Sequence, residues 1–160
     1  IYNYQEQVWY YGQLNRTAWL DSNIENYPQA VGSNYLFQHE IGFDDDGSEM
    51  TNVFIESGDF DIGDGESFSF LRRVVPDVKF LDDDTASNVN IVTKTRNFPG
   101  DNLSSGQTST VSPSTQQGHI RARGRQAVLR VNSNDGDTGN LGVGWRLGAT
   151  RYDIRTDGRR

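Results

Sequence analysis

The sequence lacks cysteine altogether and has only two histidines and one methionine. Without cysteine, a disulfide framework, a thiolate nucleophile and a cysteine-bound zinc or iron–sulfur cluster are excluded. Uninterrupted apolar runs are no longer than three or four residues, whereas a membrane-spanning helix needs about 20. We therefore expect no membrane insertion and no chemistry that depends on thiols.

The residue types needed for nucleophilic catalysis are also scarce. His39 and His119 are far apart in sequence, and no Gly-x-Ser-x-Gly motif is present. Each histidine is therefore interpreted as a structural hydrogen-bonding residue. The sequence predicts no catalytic residue, no cofactor and no enzymatic activity.

Apolar residues are few. Hydrophobic side chains make up 34% of the 160 residues, and the mean hydropathy is −0.71. Aromatic residues (11%) and 17 glycines are typical of a turn-rich β protein rather than a disordered chain. Because so little apolar surface is available for a core, we expect neighbouring subunits to cover part of the chain.

Charge is divided unevenly along the sequence. Residues 1–118 contain 6 basic and 18 acidic side chains, whereas residues 119–160 contain 9 arginines, no lysine and 4 aspartates. Arginine favours fixed, bidentate contacts. The arginine-rich segment is therefore either a surface for a polyanion or the ion-pair partner of acidic segments, within the fold or in an adjacent subunit.

The hydrophobic pattern predicts an all-β protein, because apolar residues recur at every second position and turn residues about every ten. We expect an antiparallel β-sandwich over residues 49–160, preceded by a partial β-propeller-like hairpin module over residues 1–48. Segment 97–118 is rich in Ser, Thr, Gly, Gln and Pro and predicts a long mobile loop. Isolated hairpins are marginal in water, so the first module is expected to need a partner.

Large apolar side chains in the predicted strands are the expected core anchors. The aromatic anchors are Trp9, Trp19, Phe68, Phe70 and Trp145, and the aliphatic anchors are Val89, Ile91 and Leu129. Alternation over residues 88–95 places the two aliphatic anchors of that strand on one side and its asparagines on the other.

Acidic clusters are one candidate for a binding site. Asp59, Asp61, Asp64 and Glu66 lie close together around two glycines, and Ca²⁺ takes about six to eight oxygen ligands. The spacing does not match an EF-hand loop, and Asp and Gly favour turns without any metal. The sequence therefore predicts a turn, with these four carboxylates as the alternative metal ligands. The acidic runs 44–46 and 82–84 are interpreted in the same way.

Arginines are the other candidate. In an extended strand, side chains at every second position share one face. The expected interface or channel charges are Arg121, Arg123, Arg125, Arg146 and Arg155, with Arg130 and Arg151 on strands that could pair alongside. Such a row suits contacts with phosphate groups without sequence readout, and few aromatics are interleaved for base stacking. Ion pairing with acidic segments is the alternative.

Four stretches of the sequence resemble a known group of proteins. They are residues 1–21 (IYNYQEQVWYYGQLNRTAWLD), 35–42 (YLFQHEIG), 55–76 (IESGDFDIGDGESFSFLRRVVP) and the region from residue 120 (IRARGRQAVLRV) through LGVGWRLGATRYDIRTDGRR. Together they resemble the C-terminal part of the tail nozzle proteins of short-tailed bacteriophages, which are also called tail tubular or packaged-DNA stabilisation proteins. Segment 97–118 lies outside the resemblance.

The resemblance implies a structural virion protein, made in the host cytoplasm and assembled into the phage tail. It implies a homo-oligomeric ring, expected to be a hexamer, that closes and conducts the DNA channel below the portal and adaptor. It also implies contacts with tail fibre or spike proteins and non-specific contact with the genome in transit. Since residues 1–48 hold only one or two hairpins, the propeller is expected to continue upstream.

Two alternatives belong to other classes of function. One is a tail adaptor or receptor-binding β-sandwich module that attaches fibres or host surface glycans, with Ca²⁺ at an acidic turn. The other is an enzyme that degrades surface polysaccharide, for which the sequence offers no matching constellation of residues.

Overall fold

The computed structural model describes residues 1–48, 50–81, 87–133 and 143–158. It is an all-β protein: strands account for 48% of it, arranged in several antiparallel sheets, and the described residues include no helix. Over the same ranges there is consequently no helix with the length and apolarity needed to cross a membrane. The chain divides into two compact units, Ile1–Gly42 and Phe43–Arg160, whereas the sequence placed a boundary between residues 48 and 49.

The first unit consists of two small antiparallel sheets. Its strands are β1 (Tyr2–Asn3) paired with β2 (Val8–Trp9), and β3 (Ala18–Leu20), β4 (Gln29–Gly32) and β5 (Tyr35–Gln38) in that order. Ser33 and Asn34 connect β4 to β5 with positive φ at both positions, the backbone that fits the twist of a two-residue hairpin. The propeller-like character of this unit stays a prediction.

The second unit is sandwich-like, and its described residues form ten strands. They are β6 (Phe54–Glu56), β7 (Phe60–Asp61), β8 (Ser69–Val75), β9 (Val78–Phe80), β10 (Val89–Arg96), β11 (Gln107–Val111), β12 (Gly118–Gly124), β13 (Gln126–Ser133), β14 (Trp145–Leu147) and β15 (Arg151–Thr156). One sheet has the order β11-β10-β13-β6, with β7 also paired to β13, and the other has the order β12-β8-β15. A two-stranded sheet joins β14 to β9. The predicted antiparallel sandwich is confirmed.

The core lies between the two larger sheets. Val89 and Ile91 are fully buried while Asn90 and Val92 are only partly buried, so the predicted alternation of β10 is confirmed. The buried cluster comprises Ile62, Leu71, Val74, Val89, Ile91, Val111, Ile120, Ala122, Ala127 and Val131. Strand β12 lies against β10 and β11 of the opposite sheet. Each sheet therefore has one apolar face and one outer face.

The predicted long loop at 97–118 is wrong in its second half. Residues Gln107–Val111 form β11, which pairs antiparallel with β10. Ser109 and Val111 point inward and are buried, whereas the alternate residues Thr108 and Thr110 are exposed. A Ser/Thr-rich strand has the alternation of a strand without its apolar composition, and a composition-based interpretation therefore misses it.

The predicted core anchors have different outcomes in the two units. Phe68 is buried, and Trp145 and Leu129 pack against the core cluster while partly exposed, as Phe70 is also partly exposed. Trp9 and Trp19, however, are 74% and 51% exposed, so their prediction as anchors is wrong for this chain. The strands of this unit have only two to four residues, and such small sheets offer little surface for the burial of an aromatic side chain.

Candidate functional site

Arginines concentrate on the outer face of the β12-β8-β15 sheet. In this sheet β8 is central, and Phe70 on β8 lies directly between Arg123 on β12 and Arg155 on β15. Residues that face each other across antiparallel strands share a face of the sheet. We call this surface the arginine face, and its basic residues are Arg72, Arg73, His119, Arg121, Arg123, Arg151 and Arg155.

Alternation along β12 places Arg121 and Arg123 on the arginine face. Ile120 and Ala122 are buried in the core, and the alternate residues Arg121 and Arg123 are exposed. Because successive side chains on a strand point to opposite faces, an apolar–basic alternation places one row inside and the other on the surface. The prediction that Arg121 and Arg123 share an exposed face is confirmed.

A β-bulge accounts for the two consecutive arginines of β8, Arg72 and Arg73. The register of β12 with β8 shifts between His119 and Ala122, and the register of β15 with β8 shifts between Asp153 and Ile154. Both shifts fall beside Arg72, which is exposed together with its neighbour Arg73. A regular strand would point one of two consecutive residues into the core, whereas a bulge re-aims a side chain. Both arginines of β8 therefore reach the surface.

The bulge also creates a depression on the arginine face. It has a volume of about 400 Å³ and is lined by Phe70, Arg72, His119, Ile120 and Arg121. Two guanidinium groups and an imidazole supply N–H donors, and Phe70 and Ile120 supply apolar surface. No carboxylate is among these lining residues. The depression is therefore suited to an anionic group.

Two arginines of the face have acidic partners. Arg73 lies 3.7 Å from a carboxylate oxygen of Asp153 and donates to the side-chain oxygen of Gln117 at 3.1 Å. Arg123 donates to Asp157 and stacks over the ring of Phe68, whose centroid is 4.0 Å from the guanidinium carbon. All these charged side chains are about a third or more exposed, so the pairs add little to stability. They fix the positions of two guanidinium groups.

Four other arginines of the face are not engaged in this way. Within the described ranges, none of Arg72, Arg121, Arg151 and Arg155 forms an ion pair. All four are exposed. Across the described part of the sheet, six arginines share the outer face with only Asp153 and Asp157 as acidic neighbours. The face is therefore positive although the whole chain is acidic.

The remaining predicted charges lie elsewhere. Arg125 follows β12 and is half-buried between the rings of Phe68 and Phe98, at 4.7 and 4.9 Å. Its prediction as a third member of the exposed row is wrong, because β12 ends at Gly124. Arg146 lies on β14, opposite Lys79 on the two-stranded sheet. Of the charges expected on adjacent strands, Arg151 and Arg155 share the sheet of β12.

Arg130, in contrast, belongs to the opposite sheet. It lies 3.5 Å from Glu56 and stacks on Phe54, and Lys94 donates to the same carboxylate at 3.0 Å. The hydrogen bond from Lys94 is the largest effect that lowers the pKa of Glu56, and the charges of Lys94 and Arg130 add to it against the opposing effect of burial. On this sheet the ion-pair interpretation of the sequence is confirmed.

The candidate metal ligands are engaged in local contacts. Asp59 accepts from Arg96, and Asp61 accepts from the side-chain amide of Gln126 at 2.7 Å. Asp64 accepts from the backbone N–H groups of residues 66 and 67 at 3.0 and 3.1 Å. Both flanking glycines, at 63 and 65, have positive φ, so the predicted turn is confirmed.

No group of three or more potential metal ligands occurs among the residues that the structure describes. Asp59, Asp61 and Asp64 are not brought together as a ligand set, because Arg96, Gln126 and backbone amides each hold one of them. The acidic run 82–84 lies outside the described residues.

The two histidines have different surroundings. His39 accepts a hydrogen bond from Nε of Arg16 at 3.1 Å and packs against the Trp19 ring at 4.6 Å. It therefore has the structural role that the sequence predicted. His119 is exposed and lines the depression, a position that the sequence did not assign to a binding surface.

Sequence reasoning also missed Arg72 and Arg73. The signal was present in the stretch SFLRRVV, since two consecutive arginines within an otherwise alternating strand require an irregularity that brings both to the surface. The stretch does not show which strands pair with it. Only the pairing of β8 with β12 and β15 adds these arginines to those of residues 119–160.

Comparison with known proteins adds no assignment. No protein-family model matches the sequence, and searches of curated proteins and of solved structures also gave no match.

Proposed function

We propose that this chain is part of a non-catalytic structural subunit of a bacteriophage tail nozzle, a ring that closes and conducts the DNA channel below the portal and adaptor. The proposal starts from the four sequence stretches that resemble such proteins. In it, the chain is located in the virion and contacts adaptor, portal and fibre or spike proteins as well as neighbouring copies of itself.

The apolar surface of Ile1–Gly42 is the observation that carries the proposal. Ala30 is the only buried hydrophobic residue of this unit. Trp9, Tyr11 and Trp19 are exposed by 74%, 81% and 51%. Aromatic side chains left in water forgo the free energy of burial, which contact with a neighbouring subunit would recover. A ring subunit buries such a surface against its neighbours.

The charge distribution supports assembly in a second way. The arginine face is positive, whereas the chain as a whole has a net charge of −7. Opposite charges on separate parts of one chain favour head-to-tail contacts between copies, and such contacts close into a ring when the rotation between copies permits.

The experiment is to visualise the purified protein by negative-stain microscopy and to weigh it by native mass spectrometry. Closed rings of a single stoichiometry are expected, and the double variant Trp9→Ser/Trp19→Ser is expected to reduce them. Leu103→Ser is the control, because Leu103 is also partly exposed but belongs to the second unit. A protein that stays monomeric at all concentrations, with its portal complex present, would overturn the proposal.

A further inference from the structure

We propose that the depression at the β-bulge is a phosphate site, in which Arg72 and Arg121 bind one phosphate group of a nucleic-acid backbone. This deepens the proposed function, on which it rests for the identity of the ligand.

The chemistry of the lining residues selects an oxyanion. Arg72, Arg121 and His119 present N–H donors around one depression, and no acceptor carboxylate is among the lining residues. Guanidinium groups bind phosphate through pairs of parallel N–H···O hydrogen bonds, which are stronger than neutral hydrogen bonds. A cation would meet two positive charges here, so the ligand must be negative.

The depression has room for a phosphate group and for part of the chain attached to it. Its volume of about 400 Å³ lies within the range of about 300–1,000 Å³ that pockets for drug-sized molecules span. The site is also open, since Arg72, His119 and Arg121 are all exposed. A phosphate group that belongs to a longer chain could enter it while the rest of the chain continues over the sheet.

The acidic partners of this face lie against arginines other than the two that line the site. Arg73 and Arg123 pair with Asp153 and Asp157, so their charges are partly compensated. Among the described residues, neither Arg72 nor Arg121 forms an ion pair. An incoming anion therefore displaces no carboxylate from the two lining arginines.

The surroundings favour a polymeric phosphate over a free one. Arg123 and Arg155 flank Phe70 on the two adjacent strands, and Phe70 itself lines the depression. Neighbouring strands are about 4.8 Å apart, so these further guanidinium groups lie within reach of adjacent phosphates. Phosphate contacts of this kind bind nucleic acid without reading its sequence.

The test uses pyrophosphate and a short DNA duplex as probes, titrated at low ionic strength by calorimetry. The variant is Arg72→Gln/Arg121→Gln, which keeps polar side chains and removes two charges. The matched control is Lys79→Gln/Arg146→Gln, which removes two charges from exposed residues opposite each other on the β9–β14 sheet. Thermal melting of both variants checks that each is folded; if the glutamine pair does not fold, the single variant Arg121→Lys replaces it.

We expect the wild-type protein to bind both probes, and the Arg72→Gln/Arg121→Gln variant to bind each about tenfold or more weakly, because a charge-assisted hydrogen bond is worth at least one such factor. The control is expected to leave pyrophosphate affinity unchanged. For the duplex, the logarithmic salt dependence should fall by about one unit, because one phosphate contact is lost. With Arg121→Lys, we expect weaker pyrophosphate binding because the bidentate geometry is lost.

Three results would overturn the inference: no pyrophosphate binding by the wild-type protein, equal weakening by the two charge-removing variants, or an acidic polysaccharide that occupies the site while the duplex does not. Ring formation by the Arg72→Gln/Arg121→Gln variant is measured separately. In the wild-type protein, rings without phosphate binding contradict the phosphate site alone, and phosphate binding without rings contradicts the nozzle proposal alone.

Discussion

The two units of the molecule differ in how they dispose of their apolar side chains. Ile1–Gly42 buries a single hydrophobic residue, Ala30, whereas the described part of Phe43–Arg160 buries twelve. The aromatic content of the first unit is nevertheless high, with Trp9 and Trp19 among its residues. Apolar composition therefore does not decide burial here.

The difference comes from the size of the sheets and from the packing of two sheets in the second unit. The second unit has two sheets whose apolar faces pack together, and each strand contributes alternate residues to the space between them. The first unit has sheets of two and three short strands, and such small sheets are marginal in water without a packing partner. Four predictions test this comparison, beginning with the change that should cost most.

Truncation of a core residue in the second unit should have the largest effect. Leu71 is 1% exposed and belongs to the buried cluster, so Leu71→Ala should lower the free energy of unfolding by about 2–5 kcal/mol. Leu103→Ala, at a partly exposed leucine, is the control and should change it by no more than about 0.5 kcal/mol. Denaturant unfolding measures both. Equal effects would contradict the burial assigned to Leu71.

A methyl group added where two strands meet should cost less. A Cβ at Gly124 would lie 2.7 Å from Cβ of Thr95 and 2.9 Å from the carbonyl oxygen of Arg96. Gly124→Ala should therefore destabilise the second unit by about 1–3 kcal/mol through overpacking. At Gly58 an added Cβ meets nothing within 4 Å, and Gly58→Ala is expected to be neutral or slightly stabilising. Thermal melting decides, and a neutral Gly124→Ala would contradict the close approach.

Lowering the pH should remove a smaller contribution to the free energy of unfolding. Contacts with Lys94 and Arg130 lower the pKa of Glu56 below its ordinary value of 4.5. A lowered folded-state pKa stabilises the fold above the unfolded-state pKa, and this stabilisation is lost as pH falls through the folded-state value. Glu56→Gln should therefore reduce stability near neutral pH, by no more than about 1 kcal/mol for a partly exposed pair, and the difference from wild type should vanish in acid.

The matched control for that measurement is Glu66→Gln. The side chain of Glu66 is exposed and has no ion-pair partner among the described residues. The melting temperature of the Glu66→Gln variant should equal that of the wild-type protein at every pH. A Glu56→Gln variant whose deficit persists unchanged in acid would show that the ion pairs are not its cause.

The smallest effect on stability is expected at Trp9. Its ring contacts Tyr2 at 4.9 Å between centroids but is 74% exposed, so Trp9→Ala should change the unfolding free energy of dilute protein by no more than about 0.5 kcal/mol. Circular dichroism during thermal unfolding measures this. A loss as large as that of Leu71→Ala would mean that Trp9 is buried in solution, and the contrast between the units would fail.

Much of the second unit could be predicted from local pattern. The strand at Val89–Arg96 and the inward positions of Val89 and Ile91 follow from alternation alone. The turn at Asp64 follows from the preferences of Asp and Gly. Local pattern failed at Gln107–Val111, where a polar strand is held by pairing with β10 rather than by its own composition.

The candidate site could be predicted only in part. Arg121 and Arg123 were identified because they alternate with buried residues along β12. Arg125 was assigned to the same row, although the strand ends before it and its guanidinium group lies against Phe68 and Phe98. Arg72 was missed because its contribution depends on a register shift between strands that are far apart in sequence.

The sequence by itself determined that the chain is all-β, that a turn lies at Asp64 and which residues of β10 face the core. These features depend on steric preferences and on alternation, which act over a few neighbouring residues. The tertiary structure alone decided that β8 lies between β12 and β15 and therefore that seven basic residues share one face. Backbone hydrogen bonds are nearly the same for every pair of strands, so the choice of neighbours depends on packing of the whole core rather than on any local stretch of sequence.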